Sequence, residues 1–361
     1  MALATPSAAL SLPSFAERYR DRFPIGAAVE PVTLEQDGDL VVRHFDRLVA
    51  ENAMKWGELC RNSPEYDFTR ADAIADFARR HRLSLTGHTL LWHQMQPGWL
   101  FRRGDGDVTA TELAERLRAH VFRMVERYAD VVDNWDVVNE AVSETPGKVY
   151  RDGSEGSEWY RIFGSEEYVL LAFRFANEAK QAHAQGVGLY YNDYNIERRD
   201  KREKTLELVR SLRARGLSID GVGIQGHISL DWPTPEELRA SIEEFARADL
   251  HVKVSELDVS VYTEDRPEEK RFQAELELDE RLEERLAARY REIFDVFSDQ
   301  AKHLTSITFW GVTDDRSWLN SFPTRRKNFP LLLGHRHEPK RALYELLGLP
   351  WDKRAASATG C

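Results

Sequence analysis

Apolar residues follow two alternating patterns along the chain. Short runs rich in Val, Ile, Leu and aromatic residues are each followed by stretches in which apolar positions return every three or four residues. Eight runs read as strands: Phe23 to Val29, Leu48 to Asn52, Leu83 to Leu90, Val131 to Glu140, Val187 to Asp193, Gly221 to His227, His251 to Asp258 and Ile307 to Thr313. Helix starts lie between them. Thr69 with Asp72 precedes Ile74 and Phe77, and Thr109 with Glu112 precedes Leu113, Leu117 and Val121. Thr234-Pro235-Glu236-Glu237 combines a capping threonine, a proline at the first helical position and an acid at the third. Strands alternating with helices predict a parallel sheet, and eight of them favour closure into a single (β/α)₈ TIM barrel over an open sheet.

The charged stretch from Thr263 to Arg285 reads as a loop leading into a solvated helix, with Leu276, Leu282 and Leu286 as its sparse inner face. No linker rich in Gly, Ser or Pro divides the chain. The expectation is one α/β domain over residues 13–352, with short tails at 1–12 and 353–361.

Composition narrows the class. The 361 residues are 42% hydrophobic and 31% charged, which suits a soluble globular protein with a full core. A formal net charge of −11 disfavours nucleic acid as a partner, because binding phosphates requires clustered cations. No apolar run reaches the length of a membrane span. Cys60 and Cys361 are the two cysteines, so a structural disulfide is not expected. Met1 to Leu12 lacks a basic region followed by a long apolar core, so no signal peptide is visible. That fits either a cytoplasmic protein or one whose leader has been removed. A monomer is expected.

The strand ends carry the candidate chemistry. Trp135-Asp136-Val137-Val138-Asn139-Glu140 is a buried strand that ends in a carboxylate, and Val252 to Asp258 repeats the design around Glu256. Two such groups at the carboxyl ends of parallel strands suggest a facing acid pair. The other ends supply Glu51-Asn52 with Lys55 and Trp56, His88 with Trp92-His93, Asn192-Asp193-Tyr194-Asn195, Gln225 and His227, and Trp310 with Asp314. Each has an ordinary structural reading: a lone Trp packs a barrel, a lone His is hydrogen-bonded, a lone Glu forms a salt bridge. Their concurrence at one end favours a groove for sugar, with Trp faces against pyranose rings and amides and charges on the hydroxyls.

Rival chemistries are poorly supported. Neither a His-x-x-x-His pair nor a Cys pair is present, and His335-Arg336-His337 lies among cations in the sequence, so no metal is expected. Gly221-Val222-Gly223 falls inside a strand, not at a turn opening a helix, which makes a phosphate site a weak reading. No cofactor is implied. A non-catalytic carbohydrate-binding barrel would keep the tryptophans but lose a carboxylate. An endoglucanase or β-glucosidase could share the acid pair.

Six ordered motifs resemble glycoside hydrolase family 10, the endo-β-1,4-xylanases. They are Glu51 to Trp56, Gly87 to His93, Trp135 to Glu140, Gly221 to His227, Ser255 to Asp258 and Phe309 to Asp314, within a likeness running from about Phe23 to about Leu349. The resemblance implies a (β/α)₈ barrel and retaining hydrolysis of xylan or xylo-oligosaccharides. It also implies Glu140 as acid/base, Glu256 as nucleophile and Asn139 on the 2-hydroxyl of the reacting sugar. Glu51, Asn52, Lys55, His88, Trp92, Gln225, Trp310 and Trp318 fall where the family lines its glycone subsites, and Trp310 with Trp318 could close over C5 to exclude glucose. His227 would contact the nucleophile, and Tyr194 and Asn195 would lie on the leaving-group side. The opening Leu12-Pro13-Ser14-Phe15 resembles short members without a leader. Leu333-Gly334-His335-Arg336-His337 departs from the family pattern and implies a reshaped loop after the eighth strand.

Overall fold

The computed structural model describes residues 8–265 and 267–351. Eight parallel strands close on themselves: β1 (Ile25–Val29), β2 (Arg47–Ala50), β3 (Ser84–Trp92), β4 (Val132–Asn139), β5 (Gly188–Asp193), β6 (Gly221–Ile224), β7 (His251–Ser260) and β8 (Leu304–Phe309). Each pairs with the next in sequence, and β8 pairs with both β7 and β1 to complete the ring. The sequence expectation of a single (β/α)₈ barrel holds. Strand limits differ by a few residues, most at β8, where the expected 307–313 run begins earlier and ends at Phe309. The expected sixth strand is interrupted at Gln225-Gly226, and His227–Ser229 resumes the pairing against β7.

Helices fill the gaps in order: α1 (Pro31–His44), α2 (Thr69–His81), α3 (Ala110–Arg127), α4 (Glu167–His183), α5 (Arg199–Ala214), α6 (Pro235–Arg247), α7 (Glu280–Asp299) and α8 (Arg341–Leu347). Thr109 caps α3 as expected, and Thr234 with Glu237 forms a reciprocal capping box at α6. The expected pairing of Thr69 with Asp72 does not form. Asp67 accepts from the Thr69 amide instead, and Asp72 binds Arg127 and Tyr128 at the end of α3. Of the three leucines assigned to the helix of the charged stretch, Leu282 and Leu286 lie on α7. Leu276 precedes that helix and packs with Leu278 against Tyr262 and Phe329 in a small satellite core.

Two glycines make room for the strands beside them. A side chain at Gly87 would meet the Trp135 ring at 2.1 Å, which lets that indole lie across β3. Gly223 leaves space for Asn192, whose Oδ1 is 2.1 Å from where a Cβ would stand. The barrel interior also holds a buried ladder of polar groups. Arg47 binds Thr86, Thr86 accepts from Asn134, and Lys253 bridges Asn134 (2.7 Å) to Asp136 (2.8 Å). At its upper end Asp136 meets His88 (3.0 Å).

Candidate active site

The two carboxyls come from different strands of the ring. Glu140 follows the last residue of β4, and Glu256 lies in the upper half of β7, with β5 and β6 between. Trp92 Nε1 donates to Glu140 Oε2 (2.9 Å), while Gln225 Nε2 (3.0 Å) and Asn139 Nδ2 (3.3 Å) donate to Oε1. Asn192 Nδ2 donates to Glu256 Oε1 (2.7 Å) and to Asn139 Oδ1 (2.9 Å). Gln225 also reaches Asn139 Oδ1 (3.2 Å), so the amides of Asn139, Asn192 and Gln225 join the two acids in one network. Ser255 Oγ fixes Asn192 by donating to its Oδ1 (2.5 Å).

His227 sits between Glu256 Oε2 (3.2 Å) and Asp258 Oδ2 (3.0 Å). Two carboxylates can only accept, so both ring nitrogens carry protons. Burial works against that charge, but the charges and hydrogen bonds of Asp258 and Glu256 carry the imidazole up to about 10. Burial likewise works against an ionised Glu256. The His227 hydrogen bond, together with the charges of His88, His227 and Lys55, outweighs it and holds this carboxyl below its ordinary value. At Glu140 the balance reverses. Burial, then the nearby Asp193 charge, lifts its carboxyl above the ordinary value, with the Glu256 charge adding a smaller push. The proton affinities of two glutamates in one hydrogen-bond network are thereby pushed apart.

The remaining predicted residues make the following contacts. Lys55 Nζ donates to Asn52 Oδ1 (3.0 Å) and lies 4.8 Å from the Trp92 ring and 5.9 Å from Trp310. Burial pulls its ammonium below the usual value against the charges of Glu256, Glu51 and Glu140. Glu51 is pushed up to about 7 by burial and by Glu30. His88 packs edge-on against Trp310 at 5.4 Å. Trp318 donates to Asp258 Oδ2 (2.8 Å) and lies 4.9 Å from His227, with Phe322 stacked on it at 5.2 Å. Tyr194 and Asn195 make no hydrogen bond to either carboxyl among the described residues. Both donate instead to Glu144, at 3.1 and 2.8 Å.

Several groups in this arrangement are not evident from sequence reasoning. Asn192 was visible as a polar strand end, but its bridging position was not. Lys253 had a local signal, a cation set between Val252 and Val254 of a buried strand. Glu30, whose Oε1 accepts from the Asn52 amide, and Lys201, which pairs with buried Asp193 at 2.8 Å, carry none. Arg151 is of the same kind: its Nε donates to the Glu140 carbonyl (3.2 Å) and its Nη2 to Tyr194 (3.0 Å).

A closed barrel with two unlike carboxyls above its strands, flanked by tryptophans and amides, defines the class as a barrel glycoside hydrolase. The family profile described as glycosyl hydrolase family 10 matches residues 14–348, and the chain belongs to that family. It is 41% identical over 339 residues to a β-1,4-xylanase of Dictyoglomus thermophilum, covering 94% of this chain and 91% of that one. It is 37% identical to a thermostable celloxylanase of Thermoclostridium stercorarium, covering 94% and 88%. Among solved structures, xylanase XynB from Paenibacillus barcinonensis, complexed with a conduramine derivative, superposes with a TM-score of 0.86. It is 36% identical, with coverage of 94% of this chain and 99% of that one.

Proposed function

We propose that this chain is an endo-1,4-β-xylanase that cleaves internal β-1,4-xylosidic bonds of xylan and xylo-oligosaccharides with retention of configuration. Glu140 protonates the departing oxygen while Glu256 attacks the anomeric carbon, and the glycosyl-enzyme is hydrolysed by water that Glu140 then deprotonates. Asn139 binds the 2-hydroxyl of the reacting sugar. Glu51, Asn52, Lys55, His88, Trp92, Gln225, Trp310 and Trp318 form the glycone side, His227 keeps the nucleophile ionised, and Tyr194 lies toward the leaving group. The reading rests on one observation above the others. Glu140 and Glu256 share a single amide network yet have opposite electrostatic surroundings.

Residues 13–352 act as one catalytic domain, the enzyme works as a monomer, and the formal net charge of −11 argues against a nucleic-acid partner. The relative called a celloxylanase gives glucan a specific claim as a second substrate. Reducing-sugar release should be much faster from xylan than from carboxymethyl cellulose, and equal rates would favour the endoglucanase reading. Glu256→Ala should stop turnover of all glycosides. Glu140→Ala should retain glycosylation by dinitrophenyl xylobioside and regain turnover with azide, giving a β-glycosyl azide. If both variants respond to azide alike, the two roles are wrongly assigned.

A further inference from the structure

The backbone at Glu140 is unusual for a glutamate. Its φ is +57°, in the left-handed region that side chains with a Cβ disfavour. Neighbouring groups hold that conformation from both sides. The Glu140 amide donates to Asn192 O (2.9 Å), and the Glu140 carbonyl accepts from Arg151 Nε (3.2 Å). Arg151 reaches it because residues 141–151 fold back on themselves. Val142 bridges Tyr150 in antiparallel fashion, and the Arg151 amide donates to Ala141 O (2.8 Å). The far end of the same guanidinium donates to the Tyr194 hydroxyl (3.0 Å), which in turn donates to Glu144 Oε2 (3.1 Å).

We propose that Arg151 is a positioning residue for Glu140, locking the left-handed backbone that aims the acid and tying it to Tyr194 beside the departing sugar. The inference rests on the acid/base reading of Glu140 and adds to it a group that touches neither substrate nor carboxyl. Arginine suits the task because its planar fork spans two acceptors on different strand ends, which a single ammonium does not do. Its charge also bears on the acid. Around Glu140, Asp193 of β5 and Glu256 of β7 are the negative neighbours, and Asp193 is paired with Lys201 of α5. Arg151 and Lys55, each interacting electrostatically with Glu140, are the positive ones. A cation there eases loss of the proton, so its removal should make Glu140 hold that proton to higher pH.

The test compares Arg151→Met and Arg151→Lys with the parent on aryl β-xylobiosides whose leaving groups range from dinitrophenyl to phenyl. A misaimed acid matters only where the leaving oxygen needs its proton. Both variants should lose roughly 10²-fold in kcat/KM on the phenyl glycoside, at the low end of what acid catalysis contributes. Dinitrophenyl xylobioside should change by less than about threefold, as that leaving group needs little protonation. The alkaline limb of the pH profile should move up in Arg151→Met and stay in place in Arg151→Lys, which keeps the cation. If Arg151→Met does not fold, Arg151→Lys carries the test through its leaving-group dependence. Equal losses on all leaving groups, or parental rates throughout, would overturn the proposal. Failure of the underlying reading looks different: Glu140→Ala would then itself show no dependence on the leaving group.

Discussion

His227 shows how much one side chain decides about another. Its imidazolium hydrogen-bonds Glu256 on one side and is held charged by Asp258 on the other, so it offers Glu256 both a proton donor and a positive charge. The proposed mechanism needs Glu256 ionised and Glu140 protonated, so the rate should fall as pH drops through the pKa of the first. It falls again as pH rises through that of the second. Glu256 is held below 4.5 and Glu140 above it, which places the working window between two residues of one chemical type. His227→Ala removes the bond and the charge together, and Glu256 should then keep its proton to higher pH. The acidic limb of kcat/KM for phenyl xylobioside is expected to move up while the alkaline limb moves little. An acidic limb that stays where it was would belong to some other group.

At the scale of elements, the glycines of β6 show what local patterns conceal. Gly221-Val222-Gly223 resembles a fragment of a phosphate turn, but its two glycines leave space for the side chains of β5. Tyr190 lies over Gly221 and Asn192 over Gly223. Gly223→Ala should drive Asn192 off Glu256 while the barrel still forms. We expect a fall in kcat of about tenfold or more, corresponding to a misplaced hydrogen-bonded group of about 1.4 kcal/mol, with circular dichroism unchanged. Normal kcat in that variant would mean that turnover does not depend on Asn192 holding Glu256. The strands, their order and their polar ends were legible because periodicity and strand-end chemistry are local properties. Lys253 with Asp136, Arg151 with Glu140 and Asp72 with Arg127 were not. Each joins residues from different strands, loops or helices, and neither apolar spacing nor capping signals encode which polar groups meet once the ring closes. The failed cap at Thr69 has this cause: its acid was taken by a partner 55 residues further on.

Across the whole molecule, the loop that departs from the family pattern ties distant parts together. Its histidines lie among cations in the sequence, but in space His337 Nδ1 meets Asp37 (2.6 Å) at the bend of α1, and its Nε2 faces Asp315 beyond β8 (3.6 Å). The Asp37 hydrogen bond, opposed by burial and aided by both carboxylate charges, raises the His337 pKa above 6.5. A histidine raised on folding stabilises fully below its unfolded pKa, and that contribution is lost as pH rises through the folded one. His337→Ala should therefore lower the melting temperature most in buffers below 6.5, with the gap to the parent narrowing in alkaline buffer. A gap independent of pH would show that the side chain acts by packing alone. The same seam has a consequence for how the protein is made. Ile25 of β1 pairs with Ile307 of β8, partners separated by 282 positions (307 − 25). A ribosome emits β1 first and must deliver seven more strands before that edge is satisfied. Until Leu304–Phe309 emerges, the nascent chain is an open sheet, with β1 and β7 bare to any other strand nearby. Messages cut short before that last strand would yield polypeptides prone to join edge to edge, and the cell's chaperones would meet this chain with most of its core built and its ring still open.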